Sequence, residues 1–233
     1  MPIPGSSRKA RPLPLQAGDH LGASEFIRRY EAAGDGVRAE LINGIVYLMS
    51  PSHLEAHGKP DSLISMWLSH YAAFTPSVEH AVGPTVKLSR GDVPEPDGLL
   101  FVRPEAGGDC RITADDYLSG APEFVVEVSA SSASYDSREK RDMYLRAGVR
   151  EYVVWRTYDE AVDWFVLQDD EYACLEPDPE GVLRSPTLPG LWLNTQALLA
   201  HDRRGVLDTL EAGLQARNAT PTGEHRPEAE PTP

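Results

Sequence analysis

Three residues of the sequence have the side chains that metal-dependent hydrolysis requires: Asp97, Glu127 and Lys140. Asp97 follows a proline at the start of one apolar segment, and Glu127 lies late in another, 124–129 (FVVEVS). If the two segments are neighbouring strands, their carboxylates can converge and suit a hard cation such as Mg²⁺. Lys140 lies in the following predicted helix, where its ammonium group could orient a water molecule or contact a phosphate oxygen.

Glu127 needs an explanation of its own, because its neighbours Val126 and Val128 are typical of a strand buried on both faces. An unpaired buried charge is destabilising, and a bound cation would offset that cost. A strand at an exposed sheet edge, or an arginine partner for Glu127, would also account for the residue. One Asp, Glu and Lys triple is therefore a weak indication of a metal site by itself.

The surrounding pattern predicts the elements that would position these residues. Asn43-Gly44 between two apolar runs is typical of a β-hairpin, and residues 24–33, 52–74 and 135–148 have the apolar spacing of helices. Further strands are predicted at 77–82, 85–89, 97–102, 122–129, 150–155, 161–168 and 172–176.

The order of these elements predicts the fold class. Strand, helix and strand follow one another over 122–156, which indicates a parallel βαβ unit within a mixed central sheet, in an α/β (α+β) domain. Residues 1–16 and 217–233 are rich in proline, polar and small residues and are predicted to be disordered tails. The folded domain is then expected to span 17–216.

The composition restricts the function classes. The formal net charge of -14 argues against a general nucleic-acid coat protein, which would be basic. Any contact with a polyanion would have to be local or metal-assisted. The most basic segment contains Arg138, Lys140, Arg141, Arg146 and Arg150, and it is either a solvated helix face or a local phosphate track.

No apolar run reaches the roughly 18–20 residues of a membrane span, and the N-terminus lacks the apolar core of a secretory signal. Cys110 and Cys174 form no CxxC pair, so neither a zinc knuckle nor a disulfide framework is indicated. A cytoplasmic protein with no membrane partner is expected.

Two weaker patterns point to other chemistry. His53 and His57 would share a helix face, as zinc-binding pairs do, but the order is not H-E-x-x-H and Gly58-Lys59-Pro60 interrupts the helix. His57 could instead contact phosphate at the edge of a site. The serine-rich segment 129–137 contains no G-x-S-x-G motif, which argues against a serine hydrolase.

A longer pattern resembles a known family. PEPDGLL (94–100) and FVVEVSASSASYDSREKRDMYLRAGVREYVVW (124–155) resemble the core of the PD-(D/E)xK restriction-endonuclease-like superfamily, and within it the bacterial Uma-type endonucleases. The resembling elements, in chain order, are Glu40-Leu41-Ile42-Asn43-Gly44, Ser50-Pro51, His57, Pro96-Asp97, Val126-Glu127-Val128, Lys140 with Tyr144, and Ala147-Gly148-Val149-Arg150-Glu151-Tyr152.

The resemblance implies a restriction-endonuclease-like mixed sheet flanked by helices, with an N-terminal β-hairpin. It implies that Asp97, Glu127 and the main-chain carbonyl of Val128 bind Mg²⁺ or Mn²⁺. The parent pattern has its lysine two residues after the acid, where this chain has Ser129. Lys140, on the helix, is expected to take that role.

The resemblance adds two further residues to the expected site. Glu40 resembles a helper acid, and Tyr144 lies four residues after Lys140 on the same helical face. Asn43 stands where the family usually has aspartate, and Arg156 stands where it usually has an acidic residue. These two departures affect the expected specificity and leave the Asp, Glu and Lys set complete.

The activity implied is hydrolysis of phosphodiester bonds, with DNA as the expected substrate and His57, Arg138 and Arg141 as candidate substrate contacts. A homodimer is expected because two sites cut both strands of a duplex most simply, and two-fold dimers are the commonest assemblies. Two alternatives stay open: a non-catalytic module that binds a protein partner through its acidic surface, and a nuclease for RNA or small phosphodiesters.

Overall fold

The computed structural model describes residues 12–34, 36–49, 53–129 and 135–219, with the backbone alone for 135–137. The α-helices in these ranges are α1 (Ala23–Ala33), α2 (Lys59–Ala73), α3 (Tyr135–Ala147), α4 (Thr195–Leu199) and α5 (Arg203–Ala219). The strands in these ranges are β1 (Ala39–Ile42), β2 (Ile45–Leu48), β3 (Val78–Ala81), β4 (Val86–Lys87), β5 (Gly98–Val102), β6 (Arg111–Ile112), β7 (Leu118–Ser119), β8 (Phe124–Ser129), β9 (Glu151–Arg156), β10 (Ala161–Gln168), β11 (Glu171–Cys174), β12 (Val182–Arg184) and β13 (Trp192–Asn194).

A six-stranded sheet in the order β11-β10-β9-β8-β5-β3 forms the centre of the protein. β8 and β9 pair in parallel across α3, and the other pairs of this sheet are antiparallel. The predicted βαβ unit and the mixed sheet are therefore confirmed. The predicted strand at 85–89 forms instead the short β4, in a separate sheet with β7 and β6.

Side chains of β8 alternate between two cores because successive strand residues point to opposite faces. Val126 packs with Trp67, Phe124 and Trp164 in the core that α2 and α5 cover. Val125 packs with Tyr144 in the core that α3 covers. Glu127 has the parity of Val125, so its carboxylate points to the α3 face.

Two two-residue turns, the predicted one at Asn43-Gly44 and a second at Asp169-Asp170, have the backbone conformation that tight hairpins require. Asn43 and Gly44 have φ of 54° and 76°, and Asp169 and Asp170 have φ of 47° and 65°. Positive φ at both central residues is the signature of a type I′ turn, which suits the twist of paired strands. The first of these turns joins β1 to β2, and the second joins β10 to β11.

The predicted interruption of the helix at Gly58-Lys59-Pro60 takes a specific form. A π-helical turn, Leu54–Gly58, leads directly into α2, and Pro60 lies in the first turn of that helix. Proline is tolerated there because the first N–H groups of a helix have no intrahelical partner.

Both ends of the domain extend past the predicted boundaries. Leu15 is buried against α1 and the β1–β2 hairpin, although residues 1–16 were expected to be a tail. At the other end, α5 continues to Ala219 rather than stopping before residue 217. Apolar packing holds Leu15, whereas at the end of α5 Arg217 donates hydrogen bonds to the hydroxyl of Thr75 and to the carbonyl of Phe74. Ser50, Pro51 and the segment 130–134 lie outside the described residues.

None of the described helices combines the length and apolar character needed to cross a bilayer.

Candidate active site

The pairing of β5 with β8 brings Asp97 and Glu127 together. Gly98 lies opposite Val126 in this antiparallel pair, so the residues flanking them, Asp97 and Glu127, also face each other across the two strands. The carboxylate Oδ2 of Asp97 accepts a hydrogen bond of 2.7 Å from the backbone N–H of Val128. The main chain of β8 thus holds Asp97 in place beside Glu127.

Glu127 contacts Lys140 and Tyr144 on α3. Lys140 Nζ lies 3.0 Å from Glu127 Oε1, and the hydroxyl of Tyr144 donates to the same oxygen over 2.8 Å. Lys140 and Tyr144 are one helical turn apart, and α3 lies over the face to which Glu127 points. The helix therefore delivers both donors to one carboxylate oxygen.

Glu40 completes this cluster from the hairpin. Its Oε1 lies 3.0 Å from Lys140 Nζ and accepts the backbone N–H of Glu95 over 2.8 Å. The neighbouring Leu41 exchanges two backbone hydrogen bonds with Val93, which fixes β1 against the segment that leads to Asp97. Glu40, Glu127, Lys140 and Tyr144 form what we call the lysine cluster.

The lysine cluster explains why Glu127 tolerates its position. Its side chain is buried in a central strand, not at an exposed edge, and the partners found for it in the described part of the chain are a lysine and a tyrosine rather than an arginine. Burial raises the pKa of Glu127 above its ordinary value. The positive charge of Lys140 lowers this pKa, and the negative charges of Asp97 and Glu40 raise it.

Lys140 is buried as well. Burial would lower its pKa, but Glu127 and Glu40 outweigh burial and raise the pKa of Lys140 above the ordinary value. Two carboxylates thus share one ammonium group in a site that excludes bulk water. With Asp97 nearby, three carboxylates surround this ammonium group, so a cation can take the place of the proton that the raised pKa of Glu127 favours.

Asp97, which lies beside the lysine cluster, belongs to a second group of residues whose side chains can bind a metal. His57 Nε2 lies 3.4 Å from Asp97 Oδ1 and 3.2 Å from Asp61 Oδ2, and one ligand atom from each of these three residues lies within 4.8 Å of the others. The hydrogen bond to Asp97 raises the pKa of His57. Burial, with the charge of Asp97, raises the pKa of Asp61 to about 7. We call these residues the histidine cluster.

Sequence reasoning missed Asp61 and considered a His53–His57 pair instead. His53 precedes the π-helical turn in an extended conformation and is exposed, so the two histidines do not share a helical face. The signal that could have identified Asp61 is its spacing: it lies four residues after His57, on the far side of the Gly58-Lys59-Pro60 interruption.

Ser129 lies where the parent pattern has its lysine. It is two residues after Glu127 in β8 and therefore points to the same face, and its side chain is buried. Its Oγ has no hydrogen-bond partner among the described residues. Lys140 reaches the carboxylate from α3 instead, which is the arrangement that the sequence predicts for this chain.

The predicted basic contacts are less closely tied to the site. Arg138 is exposed on α3. Arg141 lies with its guanidinium 5.6 Å from the ring of Phe165 and 3.5 Å from the carboxylate of Asp142. Phe165 belongs to β10, which is two strands away from β8. Arg141 therefore lies on the β10 side of α3, and Arg138 faces solvent.

At a pH above the pKa of Glu127, which burial raises to about 8, we expect Tyr144→Phe to lower the free energy of unfolding by about 1.5–3 kcal/mol, the range for a hydrogen bond to a charged group. The change removes one donor from the buried Glu127 and keeps the ring. The matched control is Tyr172→Phe, whose hydroxyl donates to the neutral carbonyl of Val149 over 2.8 Å. Urea unfolding of both variants measures the difference, and an equal loss in the two would contradict a charged acceptor at Glu127.

Comparisons with known proteins identify the family and the fold. The model of the Uma2 family, described as "Putative restriction endonuclease", matches residues 23–196. No curated protein shows a significant match. One similar solved structure is titled as a putative nuclease belonging to DUF820 from Anabaena variabilis ATCC 29413. Its sequence is 14% identical to this chain, the match covers 77% of this chain and 98% of the other chain, and the TM-score is 0.61. At that identity it supports the fold alone. The family match covers the hairpin, both clusters and the central sheet, and the chain belongs to the Uma2 family.

Proposed function

We propose that the protein is a metal-dependent endonuclease that hydrolyses phosphodiester bonds in DNA. The observation that carries the proposal is the convergence of Asp97 with the buried Glu127 and Lys140, where three carboxylates surround one ammonium group. The family supports the reaction class.

The carboxylates fit a divalent cation. Asp97 and Glu127 face each other across β5 and β8, and the net negative charge around Lys140 favours a cation there. We assign Mg²⁺ or Mn²⁺ to these two side chains and to the main-chain carbonyl of Val128. When bound, such a cation supplies Lewis-acid stabilisation of the phosphate and activates water for attack.

The side chains of the lysine cluster have separate roles in this proposal. Lys140 donates hydrogen bonds from an ammonium group that Glu127 and Glu40 hold in position, and it orients the attacking water. Glu40 and Tyr144 fix Lys140 and Glu127, because each makes a direct hydrogen bond to one of them. Such fixed donors require little reorganisation during the reaction.

Substrate binding has to be local, since the chain carries a formal net charge of -14. We assign phosphate contacts to Arg138 and Arg141 on α3; His57, the third predicted contact, lies instead against Asp61 and Asp97. A homodimer would place two such sites on a duplex, and a cytoplasmic location would give access to it. These assignments are tested through salt dependence and oligomeric state.

The experiment that tests the activity is a cleavage panel with single-stranded DNA, double-stranded DNA and RNA, each with Mg²⁺, Mn²⁺ and EDTA. We expect cleavage of DNA with either cation, loss of at least about 100-fold in EDTA, and recovery when the cation is restored. Equal cleavage with and without EDTA would contradict the mechanism. Cleavage of RNA alone would keep the mechanism and replace the substrate.

The acidic charge favours one alternative, a non-catalytic module that binds a protein partner. Calorimetric titration with Mn²⁺ separates the two functions, because the nuclease requires a cation and the module does not. Absence of both binding and cleavage would favour the module.

A further inference from the structure

His57, Asp61 and Asp97 bring one nitrogen and two carboxylate ligand atoms to a single point. The π-helical turn carries His57, α2 carries Asp61, and Asp97 directly precedes β5. His57 Nε2 is 3.2 Å from Asp61 Oδ2 and 3.4 Å from Asp97 Oδ1. Three converging ligand atoms, two from one continuous helical segment and one from the residue before β5, are what a mononuclear metal site requires.

A hydrogen-bonded histidine between two aspartates does not account for the whole cluster. Asp61 Oδ1 is buried and has no hydrogen-bond partner among the described residues. A buried carboxylate oxygen without a partner is destabilising unless a cation or a donor reaches it. This oxygen lies on the residue whose second oxygen already contacts His57, so a cation held by the cluster would lie within its reach.

The π-helical turn is fixed at the end of the sheet where β8 ends. The hydroxyl of Thr157 donates to the carbonyl of Ala56 over 3.0 Å, and the backbone N–H of Thr157 donates to the carbonyl of Ser129 over 3.1 Å. Thr157 follows β9, so it links the residue before His57 to the last residue of β8. Single π-helical turns occur frequently at functional sites, and this one presents His57 to Asp97.

We propose that His57, Asp61 and Asp97 bind a divalent transition-metal ion of the Mn²⁺ class. Mg²⁺ binds almost entirely through oxygen and keeps several waters, whereas an imidazole nitrogen suits transition metals. His57 and Asp61 would therefore select the metal at the Asp97 side of the catalytic site. This inference rests on the proposed function through the shared Asp97, but the binding itself requires no nucleic acid.

The test uses the full chain without nucleic acid and Mn²⁺ as the probe. Pulsed electron paramagnetic resonance of the Mn²⁺-loaded protein should show coupling to an imidazole nitrogen, and His57→Gln should remove this coupling. The matched control is His53→Gln, an exposed histidine four residues earlier that lies outside the cluster. Calorimetry should show Mn²⁺ binding more tightly than Mg²⁺, and weakening of Mn²⁺ binding by about tenfold or more in His57→Gln.

Asp61→Asn is the second variant, because it removes one ligand charge and leaves the histidine in place. We expect weaker Mn²⁺ binding with the nitrogen coupling retained. Absence of nitrogen coupling in the unaltered protein, its persistence in His57→Gln, or equal affinity for Mg²⁺ and Mn²⁺ would overturn the proposal. Nitrogen coupling in a protein that cleaves no nucleic acid would support the metal site and count against the proposed nuclease.

Discussion

Glu127→Gln should abolish cleavage while the protein keeps or gains stability. The substitution removes one of the two proposed cation ligands and one of the two carboxylates that hold Lys140. Losing charge stabilisation worth several kcal/mol corresponds to at least about 100-fold in rate, since each 1.36 kcal/mol is tenfold. Folding should not suffer, because an amide is buried at lower cost than a carboxylate, and Glu40 still pairs with Lys140.

A buried glutamate on the adjacent strand provides the control. Glu151 begins β9 opposite Phe124, at the other end of β8 from Glu127. Its carboxylate accepts hydrogen bonds from Trp164 Nε1, from the hydroxyl of Ser185 and from the backbone N–H of Thr187. These donors use both oxygens of Glu151, so the amide of Glu151→Gln would present N–H groups where an acceptor is required, whereas both donors to Glu127 use Oε1 alone.

The two glutamines should therefore have opposite effects. Glu151→Gln should lower the melting temperature and leave cleavage per folded molecule unchanged. Glu127→Gln should leave the melting temperature unchanged or raise it, and should abolish cleavage. Thermal unfolding and initial cleavage rates, measured on the same preparations, separate the two. If Glu127→Gln retained cleavage within about threefold of the unaltered protein, a required ligand at this position would be excluded.

Local pattern was sufficient to predict the elements that carry the site. Asn43-Gly44 can adopt two positive φ angles in succession, so the first hairpin is encoded in two residues. The βαβ unit follows from a strand that is apolar except at Glu127 and Ser129, a helix that ends before Gly148, and a second largely apolar strand. Each of these features depends on neighbours in sequence, which is why composition and spacing predicted them.

The contacts that complete the site could not be derived in this way. Lys140 and Glu40 are 100 residues apart, and their 3.0 Å contact depends on how the hairpin packs against α3. The burial of Leu15 likewise depends on a core that exists only after α1 and the hairpin meet. The resemblance to a family indicated Glu40 as part of the site, whereas spacing alone did not.

The sequence did not identify Asp61 for a different reason. Its distance from His57 suits a shared helical face, but the intervening Gly58-Lys59-Pro60 argues for a break in the helix. The structure resolves this conflict by a π-helical turn that runs into α2 without a gap. No propensity rule predicts such a turn, so the approach of Asp61 to His57 is a property of the folded structure that local sequence does not encode.

Lys140→Met should have the second large effect, and it should reduce both stability and cleavage. Lys140 is the one ammonium group that contacts both Glu127 and Glu40 in the described part of the chain. Removing one partner of a buried ion pair costs about 3–5 kcal/mol, because the remaining charges are left uncompensated. For a domain of this size, each kcal/mol corresponds to roughly 2–4 °C in melting temperature.

Adding Glu40→Gln to Lys140→Met separates the structural from the chemical role of the lysine. The double variant has one buried carboxylate fewer and should recover part of the lost stability, since the repulsion between Glu40 and Glu127 is removed. Cleavage should stay absent because the ammonium donor has not returned. Recovery of cleavage together with stability would show that Lys140 serves only to neutralise Glu127 and Glu40. Recovery of stability alone, with cleavage retained in the single variant Glu40→Gln, assigns Lys140 to the reaction, as a donor that the fold places at 3.0 Å from Glu127.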